Sequence, residues 1–223
     1  MKKAIFWTIL AIIMIIGGAS MCAVAFFGMG FRFGEPTPAA VVTNTYEFKD
    51  GFSCIDVEVE AESVYLLPSV DDVCRVICTE EETRLLDVRV QNGTLKIDRE
   101  LGDQRFWFHI GLSSEELSVT IFLPKKEYEK ISVESDTGAI TLQDVIASEK
   151  IDLESDTGKI FFEACDAPKF SAKTDTGDIT GTLLSEKIFK AKSDAGKVSV
   201  PDTTSGGTCD LKSDTGSIHV ELK

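Results

Sequence analysis

Along the second half of the chain, apolar and polar residues alternate in short runs, and the runs recur. Each run breaks at one tetrapeptide: Ser135-Asp136-Thr137-Gly138, Ser155-Asp156-Thr157-Gly158, Thr174-Asp175-Thr176-Gly177, Ser193-Asp194-Ala195-Gly196 and Ser213-Asp214-Thr215-Gly216. The Asp residues stand 20, 19, 19 and 20 positions apart. Five and three residues before each Asp come Ile131/Val133, Ile151/Leu153, Phe170/Ala172, Phe189/Ala191 and Cys209/Leu211. Four residues after it come Ile140, Ile160, Ile179, Val198 and Ile218, and six after it Leu142, Phe162, Gly181, Val200 and Val220. Strict alternation is the period of a strand with one buried face. Each unit therefore reads as strand, tight corner, strand and short return.

One unit cannot bury its own apolar stripe, but stacked units of constant length form a continuous core. The pattern predicts an all-β fold, a β-solenoid of the single-stranded β-helix type with coils about 4.8 Å apart. Coils are expected to stack in chain order. Ile131, Ile151, Phe170, Phe189 and Cys209 would form one column, and Val133, Leu153, Ala172, Ala191 and Leu211 the next. The alternative is an antiparallel β-meander or sandwich with a hairpin at each corner. A three-residue Asp-Thr-Gly loop would turn Ile140 and Leu142 away from the core, and a two-residue Thr-Gly loop needs positive φ at a β-branched Thr. A coil corner avoids both. There Gly138, Gly158, Gly177, Gly196 and Gly216 are expected as structural turn residues in the left-handed conformation. The Asp is expected to accept a local backbone N–H, and the preceding hydroxyl to point inward and bond corner backbone groups.

Residues 46–130 form a less regular β region. Ile55 to Val59 and Leu86 to Val90 alternate cleanly, and the second run meets Leu95-Lys96-Ile97 across Asn92-Gly93, a strong hairpin signal. A further strand, Leu117 to Leu123, stops at Pro124. This region is expected to begin the same stack with decorated or longer coils. Residues 46–223 then make one continuous domain, with the five repeats in 131–223.

The N-terminus follows another pattern. Residues 4–30 carry no charge and are rich in Ile, Leu, Phe, Val and Met, enough to cross a bilayer as one helix. Lys2 and Lys3 precede the run, which keeps the N-terminus inside and the rest outside. Residues 1–30 are thus expected as a transmembrane signal anchor, and 31–45, with Gly34, Pro36 and Pro38, as a semi-stiff linker. Cleavage near Ala19-Ser20, or acylation at Cys22, are the other readings of this segment.

Charge narrows the partners. The net charge is -14; residues 1–34 contribute +3 from Lys2, Lys3 and Arg32, leaving -17 for the remainder. Such a domain repels phosphate backbones, which argues against nucleic acid and favours a cationic peptide or a metal ion; an envelope protein of unspecified kind is the other expected partner. Beyond Cys22 the cysteines are Cys54, Cys74, Cys78, Cys165 and Cys209, an odd number, so no complete disulfide framework exists. Cys74 and Cys78 share a strand face but lie about 13 Å apart along it, too far to bond. A single bridge from Cys54 to either is conceivable; small buried thiols are the simpler reading.

Candidate chemistry is sparse. Asp136, Asp156, Asp175, Asp194 and Asp214 would form a carboxylate ladder and are weak calcium candidates, since calcium needs six to eight oxygens. Turn-capping is the competing role. Asp-Thr-Gly also occurs in aspartic proteases, but there two copies converge on one water, whereas five here fall at coil spacing. No nucleophile–base pair or metal cluster is recognisable, and no cofactor is expected. In Arg105-Phe106-Trp107-Phe108-His109-Ile110, Trp107 and Phe108 are the candidates for a partner contact; a core strand with one wet face is the plainer reading.

The anchor, the β half carrying Asn92-Gly93-Thr94-Leu95-Lys96-Ile97, the strand ending at Leu123-Pro124 and the Ser-Asp-Thr-Gly repeats together resemble a bacterial family of unknown function that carries an adhesin label. The likeness spans roughly residues 46–222. It implies a β-solenoid, no catalytic residues, and for some members a link to envelope stress and cationic peptides in Gram-positive cells. The expectation is a non-enzymatic, single-pass protein of the cell membrane, its C-terminal domain extracellular, acting as a binding, sensing or structural module. A surface adhesin and, more remotely, a glycan-active enzyme are the alternatives. Exposed end coils also invite self-association.

Overall fold

The period-two alternation becomes strands in a computed structural model that describes residues 40–49, 51–99 and 116–223. Among the described residues the regular structure is all strand. The strands are β1 (Val41–Phe48), β2 (Cys54–Val59), β3 (Ser63–Pro68), β4 (Cys74–Glu81), β5 (Asp87–Gln91), β6 (Thr94–Asp98), β7 (Ser118–Leu123), β8 (Glu127–Ser135) and β9 (Ile140–Gln143). There follow β10 (Ile146–Thr157), β11 (Ile160–Cys165), β12 (Lys169–Thr176), β13 (Ile179–Leu183), β14 (Lys187–Ala195), β15 (Val198–Ser199), β16 (Gly207–Thr215) and β17 (Ile218–Leu222).

Two large mixed sheets result, and each repeat gives one strand to each. The eight-stranded sheet runs β14-β16-β12-β10-β8-β2-β6-β5, and the nine-stranded sheet runs β1-β4-β7-β3-β9-β11-β13-β17-β15. Like strands of neighbouring repeats pair in parallel and in register: Ile151 lies beside Ile131, Phe170 beside Ile151, and Ile160 beside Ile140. A solenoid-like stack is therefore present, and no Asp-Thr-Gly corner is a hairpin. The hairpin at Asn92-Gly93 does form: β5 and β6 pair antiparallel, with φ of 51° and 76° at the two loop residues.

Two coils precede the five repeats. Coil 1 is β2–β3 and coil 2 is β6–β7; coils 3, 4, 5, 6 and 7 are β8–β9, β10–β11, β12–β13, β14–β15 and β16–β17. Both sheets give one spatial order, 2-1-3-4-5-7-6. The expected chain-order stack is thus corrected at the C-terminal end. Phe170 lies beside Cys209, and Cys209 beside Phe189, so coil 7 sits between coils 5 and 6. The N-terminal end shows the same exchange. There the stack is closed by antiparallel strands, β5 on one sheet and β4 then β1 on the other.

The core is the set of inward columns. Leu95, Ile55, Ile131, Ile151, Phe170 and Cys209 are buried one above another, as are Val119, Val64, Ile140, Ile160, Ile179 and Ile218. Column members need not be equal in size if neighbours compensate. Phe162 packs at 4.6 Å from Phe170 across the core, and its ring fills the space over Gly181, where a Cβ would come within 2.4 Å of it.

Candidate binding surface

The corners are built from two contacts onto the backbone of the neighbouring coil. The hydroxyl before each Asp turns inward and donates to a carbonyl of the neighbouring coil. Ser135 Oγ donates to Glu62 O at 3.2 Å, Ser155 Oγ to Gly138 O at 3.1 Å, Thr174 Oγ1 to Gly158 O at 3.0 Å, Ser213 Oγ to Gly177 O at 2.9 Å and Ser193 Oγ to Gly216 O at 2.7 Å. The glycine then sits directly on that carbonyl. A Cβ would lie 1.9 Å from Glu62 O at Gly138, 2.2 Å from Gly138 O at Gly158, 2.1 Å from Gly158 O at Gly177, 1.9 Å from Gly177 O at Gly216 and 2.0 Å from Gly216 O at Gly196. The expected left-handed conformation is corrected here: of the five, only Gly216 has positive φ, at 155°. Glycine is required because another backbone lies where a side chain would go.

The corner Asp residues form the expected column, in the order Asp136, Asp156, Asp175, Asp214, Asp194. Their carboxylates face outward. On the same face, two residues earlier, Glu134 pairs laterally with Glu58 on one side and Glu154 on the other. Coils 1, 3 and 4 thus present Glu58, Glu134 and Glu154 beside Glu60, Asp136 and Asp156. Glu60 is paired with Arg84 and Arg99. The remainder repel: Glu134 is held above its usual range by partial burial and then by Glu58, Glu154, Asp136 and Asp156, and Asp136 by burial and then by Asp156 and Glu60. Adjacent carboxylates one strand apart repel by about 1 kcal/mol in a water-like dielectric.

Toward the other end the same column changes sign. The position held by Glu154 in coil 4 is Lys173 in coil 5, Lys212 in coil 7 and Lys192 in coil 6. Lys212 pairs with Asp214 at 2.8 Å and Lys192 with Asp194 at 2.6 Å. The Lys192 hydrogen bond holds the Asp194 carboxyl below its usual range, and Asp214 raises Lys212. One face therefore has an acidic half and a self-neutralised half.

The sequence profile of the Toastrack DUF4097 family matches residues 52–223, which is most of the chain. The chain belongs to the Toastrack DUF4097 family. It is similar to the uncharacterized protein YvlB of Bacillus subtilis strain 168, 28% identical over 102 residues, covering 44% of this chain and 28% of YvlB. A crystal structure assigned provisionally as a cell adhesion protein of Clostridium sporogenes superposes with a TM-score of 0.62 at 12% identity, covering 82% of this chain and all of that one. A provisional adhesin of Bacteroides fragilis is more distant, with a TM-score of 0.38 at 15% identity, over 81% of this chain and 97% of that one.

Within this Toastrack domain the other candidates separate. Trp107, Phe108 and the N-terminal segment lie outside the described residues. Among the described residues no helix is long and apolar enough to cross a membrane, and no group of three or more His, Cys, Asp or Glu side chains is placed to hold a metal ion. Cys54, Cys74, Cys78, Cys165 and Cys209 are free thiols, so the bridge from Cys54 is absent. Burial pushes Cys74 up to about 11, and Cys78, Cys165 and Cys209 up to about 12.

Sequence reasoning missed three buried polar groups. Glu62 holds the glycine position of coil 1, almost fully buried, and its carboxylate takes a 2.8 Å bond from Arg99. Glu80, fully buried, accepts from Asn44 Nδ2 at 2.9 Å and the Leu86 backbone N–H at 2.5 Å, fixing the segment between β4 and β5. Lys187 is buried against Asp166 and Ser185 at the return of coil 6. Glu80 and Lys187 lie where a strand pattern predicts an apolar residue and Glu62 where the corner motif has glycine, so neither pattern signals their partners.

Proposed function

We propose that this protein is a non-catalytic module of the cell envelope, tethered by residues 1–30 as a transmembrane helix, whose Toastrack domain offers its carboxylate face to a cationic partner on the outer side. The observation that carries this reading is the set Glu58, Glu134, Glu154, Asp136 and Asp156 on three adjacent coils, without a cationic partner among the described residues, whereas the acids of coils 7 and 6 are paired with lysine. A rigid parallel stack repeats carboxylates at strand spacing along a line. An extended polycation places its charges at a comparable spacing, so several contacts form without reordering the protein. Paired acids gain little from a further cation, which confines the surface to the unpaired half. The cell-adhesion description of the Clostridium sporogenes structure is consistent with a surface role in the coarse sense.

The test uses the full-length protein in neutral-lipid nanodiscs and a ten-residue oligolysine. Binding should be saturable and weaken with salt. Neutralising the patch with E134Q, D136N, E154Q and D156N together should lower affinity about tenfold or more, each lost contact removing a few tenths of a kcal/mol. Unchanged affinity in that variant would refute the face assignment. Protease treatment of intact cells tests the orientation: the domain should be cleaved from outside.

A further inference from the structure

Among the described residues the stack is capped at one end only. Coil 2 is covered by β5 on one sheet and by β4 and β1 on the other. At the opposite end β14 pairs with β16 on one side, and among the described residues nothing pairs with its other side. Apart from Lys187 O, which accepts from the Thr203 hydroxyl, the outer edge of this nine-residue strand therefore presents unpaired N–H and C=O groups among the described residues. Its inward side chains show the same gap. Phe189, Ala191 and Val200 are only partly buried and Val198 is 43% exposed, whereas their counterparts in coil 7, Cys209, Leu211, Ile218 and Val220, are buried.

The outward side chains of β14 are Ile188, Lys190, Lys192 and Asp194; Lys192 is paired with Asp194 at 2.6 Å, and Lys190 has no acidic partner among the described residues. Lys190 and Lys192 alternate with the inward residues of β14, and Lys197 follows at the corner, all exposed, in a domain of strongly negative charge. Pairing with a second copy is opposed: an antiparallel contact centred on Ala191 would set Lys190 against Lys192, and like charges directly opposite are unfavourable. The spatial order 5-7-6 means that coil 7, whose outward β16 positions are Thr208, Asp210, Lys212 and Asp214, lies within the stack while coil 6, with Lys190, Lys192 and Lys197, is left outermost.

We propose that the free edge of β14 is a docking site for an extended strand of another protein in which apolar residues alternate with Asp or Glu. The apolar set would cover Phe189 and Ala191, the acids would meet Lys190 and Lys192, and the backbone would take up the free hydrogen-bonding row as the next rung. Lys192 also belongs to the lysine-paired half of the carboxylate face, but the free backbone edge and Lys190 lie apart from the bare carboxylates of coils 1, 3 and 4, so the two proposals are tested separately.

The pattern required is the one the internal rungs use, as in Ile151-Asp152-Leu153-Glu154. The probe is accordingly a fluorescent synthetic peptide with the sequence of residues 150–160, titrated onto the full-length protein in nanodiscs. A second peptide carries Lys in place of Asp152 and Glu154. The expected result is saturable binding of the first peptide, weakened about tenfold by K190E/K192E, with the second peptide preferring that variant. Amide hydrogen exchange in β14 should slow when the first peptide is bound, a readout that does not depend on the variant. Equal binding to both proteins, no change in β14 exchange, or no saturable binding would overturn the proposal. So would concentration-dependent self-association that protects β14 without peptide, because the occupant would then be a second copy.

Discussion

Replacing Gly158 with alanine adds one methyl group where the neighbouring coil leaves no room. The new Cβ would stand 2.2 Å from Gly138 O and 2.7 Å from Ser155 Oγ, against 3.4 Å or more for ordinary contact. Relief requires the two corners to part by about 1 Å, the difference between these separations. That movement breaks the 2.7 Å bond from Thr157 N to Asp136 O and the 3.1 Å bond from Ser155 Oγ to Gly138 O. Overpacking costs about 1–3 kcal/mol and each lost hydrogen bond about 1 kcal/mol, so the expected loss is about 3–5 kcal/mol. Gly93→Ala is the comparison. Gly93 has a φ of 76°, but no atom lies within 4 Å of the place its new methyl group would take, so only left-handed strain of about 1–2 kcal/mol applies. Gly158→Asn separates the two explanations, because Asn tolerates the left-handed region but is larger than Ala. Urea unfolding followed by circular dichroism at constant m-value gives the three numbers. If Gly158→Asn costs less than about 1 kcal/mol, the packing explanation of the corner glycines is wrong.

Three further outcomes follow from the same geometry. Deleting residues 207–223 removes the rung that joins coil 6 to coil 5, so residues 187–200 should become protease-sensitive while coils 1, 3 and 4 keep their slow amide exchange. Glu134 and Asp136 titrate above their unfolded values, so the folded state takes up these protons at higher pH than the unfolded chain; their contribution opposes stability at neutral pH and is relieved as pH falls toward about 4. Glu134→Gln should therefore raise Tm at pH 7 in low salt and raise it less in high salt, which screens the repulsion but not the burial; a lower Tm under both conditions would contradict the repulsion. Among the five described cysteines, only half-buried Cys54 should react readily with an aromatic disulfide reagent at pH 8, and Cys74, Cys78, Cys165 and Cys209 should react only on unfolding.

Much of the stack is legible because one alternation serves five coils. Ile131, Ile151, Phe170 and Cys209 occupy one buried column, and Ile140, Ile160, Ile179 and Ile218 another. Coils 1 and 2 are legible only as strands. Coil 1 turns through Val59-Glu60-Ala61-Glu62, where Val59 takes the hydroxyl position and Glu62 the glycine position, so the motif vanishes although the register persists. The carboxylate face is half visible. The Asp column follows from the repeat, but its partition into bare and paired halves depends on whether Glu or Lys stands two residues before each Asp, and on which coils are neighbours. The glycine conformation escapes the sequence because a turn motif and a close backbone approach require the same residue.

The order of the rungs escapes it for a different reason. Inward residues of every coil are interchangeable enough that either coil 6 or coil 7 could pair with coil 5; the periodicity is silent on the choice. What distinguishes them is their fitness for an edge. A last rung must leave one backbone row unpaired and one set of inward side chains half covered. Coil 7 offers Cys209, Leu211, Ile218 and Val220 inward, all buried as found, and would expose them if outermost. Coil 6 offers Ala191 in that layer, a second strand of only two residues ending before Pro201, and Lys190, Lys192 and Lys197 outward. Short, charged and proline-terminated strands tolerate an edge that long apolar ones do not. The rung that can remain open lies outermost, and its lysines give that opening a preference for acidic strands over further copies of itself.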